Sequence, residues 1–112
     1  MGLISPAAAE QLTRTELTPV QATTAAELLL EALKYRQGDV MHDALAAPVQ
    51  TSVDVKSVQA RLDQRVAIDA ARVVSVTPGH NTTTIDAVVT TASGDEGVLM
   101  VLDEVGKLLA WK

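Results

Sequence analysis

The spacing of apolar residues changes once along this chain, near Val66, and does not change back. Before that point apolar positions recur at three- and four-residue intervals; after it they recur at every second residue. Those are the repeats of an α-helix and of a β-strand, so the order of elements is helices first and a sheet last. The connections after Val66 are short. They suit hairpins and cannot hold the crossovers that parallel strands require, which predicts an antiparallel meander of four strands with amphipathic helices laid across one face.

The helical part divides at its proline, glycine and capping residues. Residues 1–18 form an N-terminal arm in which Ser5-Pro6 starts a short helix through Ala7–Leu12, too short to stand alone. Thr18-Pro19 repeats that start signal, and Thr24 with Glu27 offers a capping box as a second start for the same helix. Ala25, Leu28, Leu29, Ala32 and Leu33 then make an apolar stripe that ends at Gly38-Asp39. A shorter helix is expected over Val40–Ala46, stopped by Pro48. Val49–Val53 reads as an edge strand or a connection. Ser52 or Asp54 caps a further helix, with Val55, Val58 and Leu62 on one face and its end near Gln64.

In the first strand Val66, Ile68, Ala70, Val74 and Val76 fall on one face, and Arg72 interrupts them in the manner of a bulge or a sheet rim. Pro78–Asn81 makes a turn. The next strand, Thr82–Thr91, sets Ile85, Ala87 and Val89 against Thr84, Asp86 and Val88, and Ser93–Gly97 turns the chain again. Val98–Leu102 is apolar on both faces, which places it centrally, covered on both sides or covered on one and interfacial on the other. Asp103–Gly106 is the third turn, and Lys107–Lys112 is the last strand, with Leu109 and Trp111 alternating against Leu108 and Ala110.

Composition narrows the function. The 112 residues are 47% apolar, yet they include no Phe, one Tyr (Tyr35) and one Trp (Trp111). A core of alanine and valine contributes less transfer energy per side chain, so a partner surface or dimer interface would help it. The net charge is −5, and the 9 basic residues are spread along the chain rather than gathered. That argues against nucleic-acid binding, which needs concentrated positive charge. Without cysteine there is no disulfide, thiolate chemistry or sulfur-based zinc site. No stretch reaches the length of a membrane span, and Met1–Ile4 has neither a basic leader nor a long apolar core. No cofactor is expected.

Few residues point to chemistry. His42 and Asp43 are adjacent, and neighbours one apart on a helix do not face each other. His80 sits in the Pro-Gly turn, Asn81-Thr82-Thr83 matches a glycosylation triplet that a turn would hold in any case, and Gly94 and Gly97 have no following helix or lysine to cradle phosphate. Asp39, Asp86 and His42 are the candidates for an acid or base, which would need burial to work near neutrality. Tyr35 closes the end of the first helix stripe or contacts a ligand. Trp111 seals the end of the sheet or anchors an interface. Met100 lies at the centre of the doubly apolar strand.

The order of a long helix, Gly38-Asp39, a short helix, a further helix and a meander ending at Gly106–Trp111 resembles the NTF2-like superfamily (SnoaL and ketosteroid-isomerase-like). The segment Ala25–Leu33 through Gly38-Asp39 resembles the opening of its small bacterial envelope-associated domains. That resemblance implies one α+β domain over residues 19–112, with helices packed on a curved antiparallel sheet that forms a cone. It also implies a bacterial cell-envelope or extracellular setting, as part of a larger protein, with the cytoplasm as the alternative. The aromatics that line such cones are missing here, and no residue is carried over as catalytic. The resulting expectation is a non-catalytic binding or assembly domain that forms a homodimer, or meets another protein domain, through its sheet face. The alternative is a small-pocket isomerase, cyclase or hydrolase with Asp39, Asp86 or His42 at the mouth of the cone. Tyr35, Asp39, Asp86, Met100 and Trp111 are the pocket or interface candidates.

Overall fold

The computed structural model describes residues 17–112; the expected Ser5-Pro6 helix lies outside them. Helix α1, Pro19–Lys34, begins at the first of its two candidate starts. Thr18 Oγ1 accepts from the Gln21 amide, and Gln21 Oε1 accepts from the Thr18 amide, a reciprocal cap with proline at the first helical positions. Ala22, Ala26, Leu29, Leu30, Ala32 and Leu33 are its buried residues. Leu28, expected in the stripe, is 62% exposed.

Gly38 opens a new helix rather than closing the first. Helix α2 runs Gly38–Asp43, and a single turn, α3, spans Ala47–Gln50 with Pro48 in its first turn instead of terminating its predecessor. Val49–Val53 is therefore not a strand. Asp54, not Ser52, caps α4, Val55–Asp63, by accepting from the Ser57 amide at 2.8 Å.

The period-two segment folds into four strands in sequence order: β1 Ile68–Pro78, β2 Thr83–Thr91, β3 Gly94–Leu102 and β4 Leu108–Trp111, each antiparallel to the next. The second turn is tighter than expected. Thr91 pairs with Gly94 across Ala92-Ser93, and Gly94 takes a φ of +115° that residues with a side chain rarely adopt.

The architecture is α+β, with helices on a four-stranded antiparallel sheet, but the expected cone is overturned. The sheet is open: β1 and β4 are its two edges and do not pair with each other. Curvature strong enough to make a cone needs bulges in the body of a sheet. Here the central β2–β3 pair runs without a register shift from Thr83↔Leu102 to Thr91↔Gly94, and the shifts fall only in β1 and near β4.

Those edge irregularities also change which side chains face inward. A shift between Ile68 and Ala70 reverses the alternation, so Ile68, Ala71 and Val73 pack inward while Ala70 and Arg72 face out. A second shift leaves Val74 exposed and returns Val76 to the core. In β4 the shift beside Leu102 turns both Leu108 and Trp111 inward, and they do not alternate as the sequence implied. The core lies between this inner face and the helices. α1 lies across β1 and β2, and α2 packs on α4. Backbone bonds from the Ala46 amide to the Leu108 carbonyl and from the Leu108 amide to the Ala44 carbonyl tie the chain after α2 to the β4 edge.

Candidate functional site

The sequence candidates separate in the fold. Met100 is 1% exposed, paired with Trp111 on the inner face and covered by the helices. Asp86 is on the opposite, outer face, exposed, and accepts from Ser75 Oγ at 3.0 Å. Asp39 is exposed in the first turn of α2. His42, on the same helix, holds the Val53 carbonyl through Nε2 at 2.9 Å. Asp39 and His42 therefore share α2 but are not joined by a hydrogen bond, and Asp86 sits on the far side of the sheet from both.

Tyr35 caps α1 and stays largely in solvent, with the Lys34 ammonium 5.3 Å from its ring centre. It borders an open trough of about 680 Å³ between α1 and β1, where Glu27 and Glu31 mix with Lys34 and Arg72. Charges of both signs on exposed side chains give that trough no defined ligand character.

Trp111 sits in a more organised place. The Arg61 guanidinium stacks over its ring, 3.9 Å from the centroid, and Arg61 Nη2 donates to the Trp111 carbonyl oxygen at 2.6 Å. Helix α4 creates this contact by turning Val58 and Leu62 into the core, which brings Arg61, between them in sequence, over the end of β4. Beside the pair is a cavity of about 330 Å³ whose walls include Leu45, Val49, Val53, Val58 and Leu109. Trp111 Nε1 is buried and has no acceptor. Burial pushes the Arg61 guanidinium below its ordinary value, and the nearby positive charge of Arg65 acts in the same direction. Arg65 pairs with Glu96 at 3.1 Å, whereas Arg61 has no ion pair among the described residues. The sequence held no local sign of this arrangement, because its two partners lie 50 residues apart.

The outer sheet face is the second feature. Residues that alternate with the buried ones make it up: Ala70, Arg72, Ser75 and Thr77 on β1; Thr84, Asp86, Val88 and Thr90 on β2; Asp95, Gly97, Leu99 and Val101 on β3; and Ala110 on β4. Val101 lies between Thr84 and Ala110, and Leu99 lies diagonal to Val88, so Val88, Leu99, Val101 and Ala110 form an apolar strip. Among the described residues no helix covers this face. No protein-family model matches the chain, and no curated protein matches it. Among the described residues no three His, Cys, Asp or Glu side chains gather as metal ligands. No helix there is long and apolar enough to cross a membrane.

Proposed function

We propose that this domain is a non-catalytic assembly module that pairs with a second copy of itself through the outer face of its sheet. The supporting observation is the strip of Val88, Leu99, Val101 and Ala110 on a face that no described helix covers. A solvated antiparallel face normally alternates polar against apolar, and β3 departs from that by carrying Leu99 and Val101 outward.

Size fits a dimer. The four strands have 11, 9, 9 and 4 residues, which at about 3.3 Å per residue and about 4.8 Å per strand makes a flat area of roughly 520 Å². Side-chain relief brings this toward the roughly 800 Å² that each partner contributes to a standard interface. The charges also fit: Arg72 and Asp86 lie on the same face, so a second copy does not meet uniform like charge. Size-exclusion chromatography with light scattering is expected to give about twice the 11.8 kDa chain mass at high micromolar concentration. The double variant Leu99→Lys/Val101→Lys should elute at the single-chain mass with an unchanged far-ultraviolet circular dichroism spectrum. A wild-type monomer, or a double variant that still dimerises, overturns the proposal.

A further inference from the structure

We infer that the cavity at the end of β4 binds a short-chain aliphatic carboxylate, with its hydrocarbon on Leu45, Val49, Val53 and Val58 and its head group on the Arg61 guanidinium beside Trp111. This site lies under α4 at the end of β4 and shares Ala110 with the strip of the proposed dimer.

Two observations meet there. The walls are apolar apart from Ser57, and Arg61 is the charged residue among them. A small-molecule site is typically apolar with a few placed polar groups. Arg61 is held in position by the Trp111 ring and carbonyl, yet it lacks a carboxylate partner among the described residues in a chain with 14 acidic residues to 9 basic. Its bond to the Trp111 carbonyl uses one amino group, so guanidinium edge remains to take a carboxylate.

The volume suits a ligand of modest length. At about 30 Å³ per non-hydrogen atom, the share of a water molecule in the liquid, the cavity holds roughly ten such atoms. Octanoate has that size. A phosphate ester would bring more acceptors and charge than one arginine satisfies.

Trp111 is the single tryptophan of the chain, so its emission reports from the site. Titration of the full chain with octanoate is expected to give a saturable change in tryptophan fluorescence. Octanol and octylamine, equal in chain length, should bind at least about tenfold more weakly, as loss of a charge-assisted hydrogen bond implies. Arg61→Gln should weaken octanoate by a similar factor and leave octanol binding unchanged. No saturable change with octanoate overturns the inference. So does equal binding of octanoate and octanol to the wild-type chain, a comparison that needs no variant to fold. The oligomeric state measured in the same samples is a separate readout, so failure of this inference and failure of the proposed dimer are distinguishable.

Discussion

Replacing Trp111 tests whether the Arg61–Trp111 corner holds the fold together. The side chain is 7% exposed and packs within the main core cluster. A tryptophan buries up to about 250 Å². Truncation to alanine withdraws roughly 150–180 Å² of that, which at about 25 cal/mol per Å² costs about 4 kcal/mol. Losing the guanidinium–ring contact adds about 0.5–1 kcal/mol. Removing an indole N–H that has no acceptor returns about 1 kcal/mol. The net stays near 4 kcal/mol, within the range for deleting a large buried aromatic, and corresponds to a fall in Tm of about 15 °C for a domain of this size. Trp111→Phe keeps most of the ring and deletes only the unpaired donor and part of the area, so its cost should stay below about 1.5 kcal/mol. Urea unfolding followed by circular dichroism suits both variants, since each lacks the fluorophore. The dependence on urea must keep its slope for the comparison to report native packing. A loss below about 1 kcal/mol for Trp111→Ala, or an equal loss for Trp111→Phe, would refute the packing argument.

Two further perturbations follow from the helix junctions. Gly38 meets Gln59 where α2 packs on α4: its amide donates to Gln59 Oε1 at 2.9 Å, while Gln59 Nε2 donates to the Arg36 carbonyl. An added methyl would run first into Gln59 Oε1, which Gln59→Ala removes, and then crowd Gln59 Cβ and backbone, so Gly38→Ala should destabilise by about 1–3 kcal/mol. The double variant with Gln59→Ala should lose less than the sum of the two single losses, and strict additivity in urea unfolding would count against the contact. At α4, the amide of Ser57 donates to Asp54 and holds its carboxyl below the ordinary value of 3.8. The cap therefore contributes fully above that ordinary value and fades as pH falls through the lowered one. The protection of the Ser57 amide, its exchange rate relative to that of an unstructured peptide at the same pH, should fall with acid in that window in the wild-type chain but not in Asp54→Asn, which keeps the acceptor; the same loss of protection in both would refute the assignment.

The parts of this fold legible in the sequence were those set by neighbours in the chain. Thr18-Pro19, Asp54, the turn at Pro78–Asn81 and the change of period near Val66 each act over a few residues, and each has its counterpart in the structure. Arg72 was a visible anomaly, and a bulge does lie nearby. Its consequence was not legible, because a register shift at Ile68/Ala70 depends on how β2 pairs and moves Ala70 outward and Ala71 inward. The same holds for Leu109, displaced by the irregularity beside Leu102. The approach of Arg61 to Trp111 is set by the packing of α4 on the end of the sheet, which no local pattern encodes.

The scarcity of aromatic residues explains the place of the cavity, and the register of the sheet explains the lost cone. α1 buries Ala22, Ala26 and Ala32 beside Leu29, Leu30 and Leu33, and the inner face of β1 and β2 includes Ala71 and Ala87. Side chains this small let helix and sheet close together at the density of a protein interior. The unbulged β2–β3 pair gives the sheet no reason to curl into a cone. Past the reach of α1, the β4 end is covered by the shorter α3 and α4, and there the one large side chain, Trp111, does the filling. Arg61 lies over its ring but not over the neighbouring valines and leucines, so the space left beside them is apolar with a cation at its border. Enlarging a residue on that wall should therefore fill space rather than strain the core: Val53→Leu, at a position 37% exposed, is expected to leave stability within about 0.5 kcal/mol and to weaken octanoate binding. If Val53→Leu instead destabilises by more than about 1.5 kcal/mol, the wall is packed tightly and the space is not available to a ligand.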